Sequence, residues 1–272
     1  MQLTPAYRID IVKGYCILFY VLMLHKLWHG FTLFQLQPSL FNSRFDLFTW
    51  LIMKTGIHQW LLNNPTGWIL FDVTFYAMPL VYWYFFYKKK TRLAFCSAVA
   101  MLLVNWVYVQ CYTLYPANSI ESYTAWLLFP FLFITINLQS FYFVFQGLRY
   151  FFLFFFASAG IWKIVQGSIF NVEQMSGILL VQHKEYLIDA NNFFSYAMYW
   201  LIEHPVVAFS LFVISTILEL SFVIGFFTKK YDRILLLMFL FFLLADVFFM
   251  RIPYWEVSPF LLTLLYSKHS IR

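Results

Sequence analysis

Four stretches of this chain, Trp68–Tyr87, Leu93–Tyr112, Val206–Phe227 and Ile234–Met250, are apolar on every side. As helices rising ~1.5 Å per residue, they are long enough to cross a hydrocarbon layer of ~30 Å. In hydrocarbon every backbone N–H and C=O must be bonded within the protein, which leaves helices or a closed barrel. Barrel strands are shorter and alternate apolar with polar residues, a pattern these runs lack. A water-soluble fold fails on charge: 11% of the 272 residues are Asp, Glu, Lys or Arg, against roughly 25% in soluble domains. The sequence therefore predicts an all-α, polytopic membrane helix bundle, one transmembrane domain over residues 1–272.

Eight transmembrane helices are expected, at about 9–28, 67–87, 93–114, 123–139, 147–165, 206–227, 234–250 and 257–267. Gln139-Ser140 and Gln146-Gly147 mark a soft boundary between the fourth and fifth. The eighth is short, so it tilts, lies at the interface, or begins earlier. Pro79 and Pro130 fall inside helices two and four, where neighbouring helices can take up the carbonyls that proline leaves unpaired. The first helix follows Arg8 and Lys13 with no small-residue cleavage site behind it, and reads as retained rather than as a signal peptide.

The net charge of +6 is concentrated at helix ends. Such placement reads as a topology signal, not as a nucleic-acid-binding surface. With Lys88-Lys89-Lys90-Thr91-Arg92 put in the cytoplasm, helix counting places Arg8 and Lys13, Lys229-Lys230 with Arg233, and Lys268 with Arg272 on that side too. Both termini are then cytoplasmic, in the inner membrane of a bacterium. Two long connections, about 29–66 and 166–205, fall outside. They hold Trp50, Trp60, Phe193, Phe194, Tyr196, Tyr199 and Trp200, rings that favour the membrane–water boundary. Interfacial helices are expected at 45–62 and 192–203.

An ionisable group at the bilayer centre costs about 2.5–3.5 kcal/mol on insertion scales, so each needs a partner or a purpose. Lys163, Glu219 and Asp246 stand out, with Asp72 near a helix end as a capping residue. By depth, Lys163 and Asp246 lie in the outer half and are able to pair. Glu219 lies deeper, within reach of Arg149 or Lys13. These groups are structural ion pairs, or they line a polar cavity, or, for Lys163, snorkel. His25 and His29 are four apart and share a helical face, which is too few ligands for a zinc site. No metal is expected. A neutral imidazole near an outward cavity is the best general base on offer. The expected site is one outward-opening pocket formed by Lys163, Asp246 and His25, with Arg251 about a turn beyond Asp246. Cys16, Cys96 and Cys111 form no Cys-x-x-Cys pair and read as packing residues. Phosphate-binding loops, nucleophile elbows and zincin pairs are missing.

The run from Arg149 through Ala159-Gly160-Ile161-Trp162-Lys163 resembles a helix of the horizontally transferred transmembrane (HTTM) family. That family comprises vitamin K-dependent γ-carboxylase and its bacterial relatives, and the pattern is shared by the smaller DoxX/MauE-like proteins. The resemblance continues through Glu219 in Leu218-Glu219-Leu220-Ser221 and the basic turn Thr228–Arg233. It covers about 147–267, and helices one to four in general layout. It implies a working face outside the cytoplasm and, in the carboxylase, a reduced quinone used to deprotonate a glutamyl side chain. Carboxylase-type relatives often have a histidine where this chain reads Leu244-Ala245-Asp246. They also carry a large soluble region after the bundle, and no peptide capture by such a region is expected here.

Three readings stay open. One is an accessory or maturation protein that docks an exported peptide or membrane-protein partner through the external aromatic segments, with lipid around it. Another is a membrane enzyme holding a quinone or other lipophilic cofactor. The third is a transporter, which needs a polar path that Glu219 alone does not supply.

Overall fold

The computed structural model describes residues 5–36, 47–56, 59–60, 64–113, 123–188, 192–252 and 254–268. The loops at Asn118 and Asp189, parts of the 45–62 segment and the basic end at Arg272 lie outside these residues. The described residues form helices joined by turns, without a strand. Among the described residues, six helices are long and apolar enough to cross a membrane: Pro5–Trp28, Pro65–Tyr87, Thr91–Tyr112, Leu138–Val165, Pro205–Phe227 and Asp232–Met250. This architecture is compatible with a multi-pass membrane protein.

The fourth candidate is shorter than expected, forming Thr124–Ile134, while the eighth keeps its expected short length and begins two residues earlier, as Trp255–Leu265. The reason for the shortening is local. Thr135 turns extended at ψ 133° and ends the helix. Asn137 then starts the next one, its Oδ1 accepting the Ser140 N–H at 2.6 Å, as an N-cap asparagine does. The boundary thus falls at 135–137, and the apolar residues after it lengthen the following helix backwards to Leu138.

The helices form two compact units. The first holds residues 1–148 and 255–272: α1 (Pro5–Trp28), α2 (Leu47–Thr55), α3 (Pro65–Tyr87), α4 (Thr91–Thr113), α5 (Thr124–Ile134), the start of α6 (Leu138–Val165), and the returning 3₁₀ turn Trp255–Phe260 with its helix Leu261–Leu265. Between apolar helices in lipid, close packing rather than the hydrophobic effect supplies cohesion. Here rings supply it. Phe75 and Tyr108 stack with centroids 3.7 Å apart, and Tyr15 stacks on Phe129. Phe19 and Trp126 fill the space between. In the turn before Pro79, the Tyr20 hydroxyl of α1 donates to the Tyr76 carbonyl at 2.7 Å and ties α1 to α3.

The second unit holds residues 149–254. It takes the rest of α6, then α7 (Gln174–Gln182), α8 (Lys184–Ile188), α9 (Phe193–Glu203), α10 (Pro205–Ser221), α11 (Ile224–Phe227) and α12 (Asp232–Ala245), which ends in a π turn, Asp246–Met250. Where it is described, the connection 166–205 is mostly helical and packed. Met175, Leu179, Leu187, Met198 and Leu201 form a small core with Ala208 and Phe212 of α10. Asn192 caps α9 by accepting the Ser195 N–H at 2.8 Å.

Candidate functional site

Three buried or partly buried ion pairs are present among the described residues, and they redraw the pairing expected from depth. On α6, Gly160 leaves room for α10: a Cβ there would lie 2.9 Å from Leu220 and 3.2 Å from the Glu219 Cβ. That close approach brings Lys163 to Glu219, with Nζ donating to Oε1 at 2.7 Å. Ser215 and Phe212, on the same face of α10, complete the cradle: Ser215 Oγ lies 3.5 Å from Nζ, and the Phe212 ring 5.1 Å from it. Lys163 therefore neither snorkels nor makes Asp246 its direct partner. Glu219 meets neither Arg149 nor Lys13.

Asp246 opens the π turn and is partly exposed. Its carboxyl lies within electrostatic reach of both Lys163 and Glu219. π turns are rare single-turn insertions that gather at functional sites, and this one is braced from outside its own helix. His183 Nε2 donates to the Phe249 carbonyl at 2.7 Å; a carbonyl only accepts, so that nitrogen carries the proton. Gln182 Nε2 donates to the Met250 carbonyl at 2.9 Å. The helix then stops at Arg251, which has a left-handed φ of 55°. Arg251, expected among the buried charges, is exposed. Its guanidinium lies 4.1 Å from the Phe194 ring centroid, where cation–π attraction holds it.

The other α6 cation is closed off. Arg149 makes a two-pronged contact with Asp232, at 2.8 and 2.6 Å, and donates to the Gly225 carbonyl at 2.9 Å. Both side chains are 0% exposed. Gly225 fits closely there: a Cβ would lie 2.5 Å from the end of the Leu153 side chain and push it aside. Asp232 lies within the basic turn Thr228–Arg233, where the sequence carries no sign of burial.

In the first unit the buried charge at the end of α1 is Lys26, while His25, expected as a general base, is half-buried. Lys26 Nζ pairs with Glu256 Oε1 at 2.5 Å and lies against the rings of Tyr112, Tyr123 and Trp126. Such an aromatic enclosure stabilises a desolvated ammonium. Asp72 does more than cap a helix. It accepts the Leu33 and Phe34 N–H groups at 3.3 and 2.9 Å and the Tyr108 hydroxyl at 2.6 Å, tying the residues after α1 to α3 and α4. His25 and His29 lie with ring centroids 4.5 Å apart. No group of three or more metal-ligand side chains occurs among the described residues. Cys16 and Cys111 are buried, whereas Cys96 is exposed and fills no packing role within the chain.

No family model matches the chain, and no curated protein or solved structure matches it either. The chemistry must be taken from the side chains. In the second unit Lys163 pairs with Glu219, whereas Asp246, at the opening of the π turn, belongs to none of the ion pairs among the described residues.

Sequence reasoning missed Lys26, Glu256 and Asp232. All three stand at helix ends, where a charge is ordinarily solvated. Glu256 gave one signal: it is the lone charge in the otherwise uncharged stretch from Ile252 to Ser267.

Proposed function

We propose that this chain is an HTTM-like accessory or maturation protein of a bacterial cytoplasmic membrane, docking an exported peptide or membrane-protein partner at the extracytoplasmic face. One observation carries the reading. The helices of the 166–205 connection are too short to cross a membrane, are packed on their own core, and still present large apolar side chains outward: Ile188 is 86% exposed and Phe193 80%. Tyr196 and Trp200 extend the same surface along α9. Aromatic rings of this kind are favoured at protein interfaces, where they bury much area at small entropic cost. The three ion pairs meanwhile tie charge to charge and work as scaffold. The HTTM resemblance supports placing this face outside the cytoplasm.

A photo-crosslinker at Phe193 or Tyr196, activated in membranes of the native host, tests this. A discrete crosslinked polypeptide is expected. Crosslinks to lipid alone at both positions would refute the docking role.

Asp246 favours a second reading, an enzyme binding a quinone or other lipophilic cofactor. Its carboxyl group on a braced π turn is suited to hydrogen-bond a polar head group or to move a proton. Organic extraction of the purified protein followed by mass spectrometry decides it. A stoichiometric quinone lost in Asp246→Asn would favour the enzyme over the docking protein.

A further inference from the structure

The first unit has a pocket of about 410 Å³ formed by the start of α1, the α3–α4 turn and the α5–α6 junction. Its volume falls within the usual range for small-molecule sites. The charges around it are of one sign. Arg8, Lys89 and Lys90 all line it, and no carboxylate does. None of these cations belongs to an ion pair among the described residues. Arg8 is built in rather than trailing: it donates to the Ile136 and Thr135 carbonyls at 2.9 and 2.7 Å. Its guanidinium lies 5.1 and 5.0 Å from the Phe86 and Phe141 ring centroids. Lys89 stands at a φ of 55°. Glycine or asparagine adopts that conformation more readily, so the turn holds a charged side chain at a strained position. Thr91 and Ala94 bring in the first turn of α4, near the positive end of its helix dipole. Below this rim the walls are apolar: Ile9, Trp83, Phe95 and Phe133.

We propose that this pocket binds an anionic phospholipid, its phosphate held by Lys89, Lys90 and the Arg8 guanidinium and one acyl chain lying along Trp83, Phe95 and Ile9. A free phosphate would satisfy the cations and leave the apolar walls bare. A zwitterionic lipid would cover the walls but bring its own cation to a rim that already carries three. A lipid with net negative charge satisfies both parts, and basic residues at one end of a helix bundle are where such head groups bind. The site lies in the first unit and does not depend on the docking reading.

The test uses the full chain, purified in detergent, delipidated and followed by native mass spectrometry. Phosphatidylglycerol and phosphatidylcholine with the same acyl chains are titrated separately, with inorganic phosphate as a competitor. One phosphatidylglycerol is expected to bind at least about tenfold more tightly than phosphatidylcholine. Lys89→Gln/Lys90→Gln should weaken phosphatidylglycerol about tenfold while leaving phosphatidylcholine binding and the melting temperature unchanged. Both lysines are exposed, so the variant retains the fold. Equal affinity for the two lipids, or a preference that survives in the double variant, would overturn the proposal. Displacement of phosphatidylglycerol by inorganic phosphate would overturn it as well, by showing a site for a soluble anion.

Discussion

Arg149 and Lys163 stand on one helix and are held in opposite ways. Arg149 is locked by three hydrogen bonds to Asp232 and Gly225, with both charged side chains out of contact with solvent. Lys163 has one short contact, to Glu219; its side chain is 25% exposed, and a second carboxylate stands nearby. Guanidinium geometry explains part of the contrast, since a planar fork matches a carboxylate in two places and an ammonium does not. Position explains the rest. Gly225 offers a bare carbonyl at close range, whereas Lys163 faces a serine and a ring. One pair is a fastening and the other has room to change partners.

The comparison breaks or sharpens on variants of the two pairs. Asp232→Ala strands Arg149 and should cost about 3–5 kcal/mol of stability in detergent, read by thermal or denaturant melting. A loss no greater than that of Glu219→Ala would abolish the distinction between the pairs. Gly225→Ala, which forces Leu153 aside, should cost about 1–3 kcal/mol by overpacking. Glu219→Leu should cost about 1–3 kcal/mol, and Glu219→Gln less, because the amide still accepts a hydrogen bond from Lys163. Asp246→Leu on top of Glu219→Leu should cost more than the two single changes added together, since Lys163 then has neither carboxylate. Strict additivity would show that Asp246 gives it no second partner.

The smallest expected effect is one of pH. Burial pushes the Lys229 ammonium below the usual lysine range, the Arg149 guanidinium pushes further, and Asp232 opposes both. In the fold Lys229 gives up its proton at a lower pH than its ordinary value of 10.5. The unfolded chain then binds more protons within that window. Stability should therefore rise slightly as pH climbs through the folded value towards 10.5, and level off above it. Lys229→Gln should flatten that rise in a melting series.

The helical class was legible because an unbroken apolar run has few other solutions. Helix ends were legible to within a few residues at α3, expected from 67 and found from Pro65, where Asn64 accepts the Gly67 N–H. They were misread at 135–137, where one asparagine outweighed a continuous apolar pattern. For the charges, sequence depth singled out Lys163 and Glu219 but assigned them other partners. Depth orders residues along the membrane normal and is silent about azimuth, and azimuth decided these contacts: Gly160 lets α10 approach the side of α6 that carries Lys163. Lys26 and Glu256 were out of reach for a related reason, since a chain terminus returning to the first helix leaves no periodicity behind.

The π turn at Asp246–Met250 has a consequence for insertions and deletions. Each residue of an α-helix turns the chain by ~100°, so losing one from the middle of a span swings everything beyond it onto a different face. A π turn carries one residue more than an α turn needs. Deleting one position between Val247 and Met250 would convert it to ordinary helix while keeping Asp232 and Asp246 in phase. The same deletion between Arg233 and Ala245 would set those two carboxylates a quarter-turn or more out of register with α6. This short segment is where the chain can change length without moving the charges that hold its second unit together.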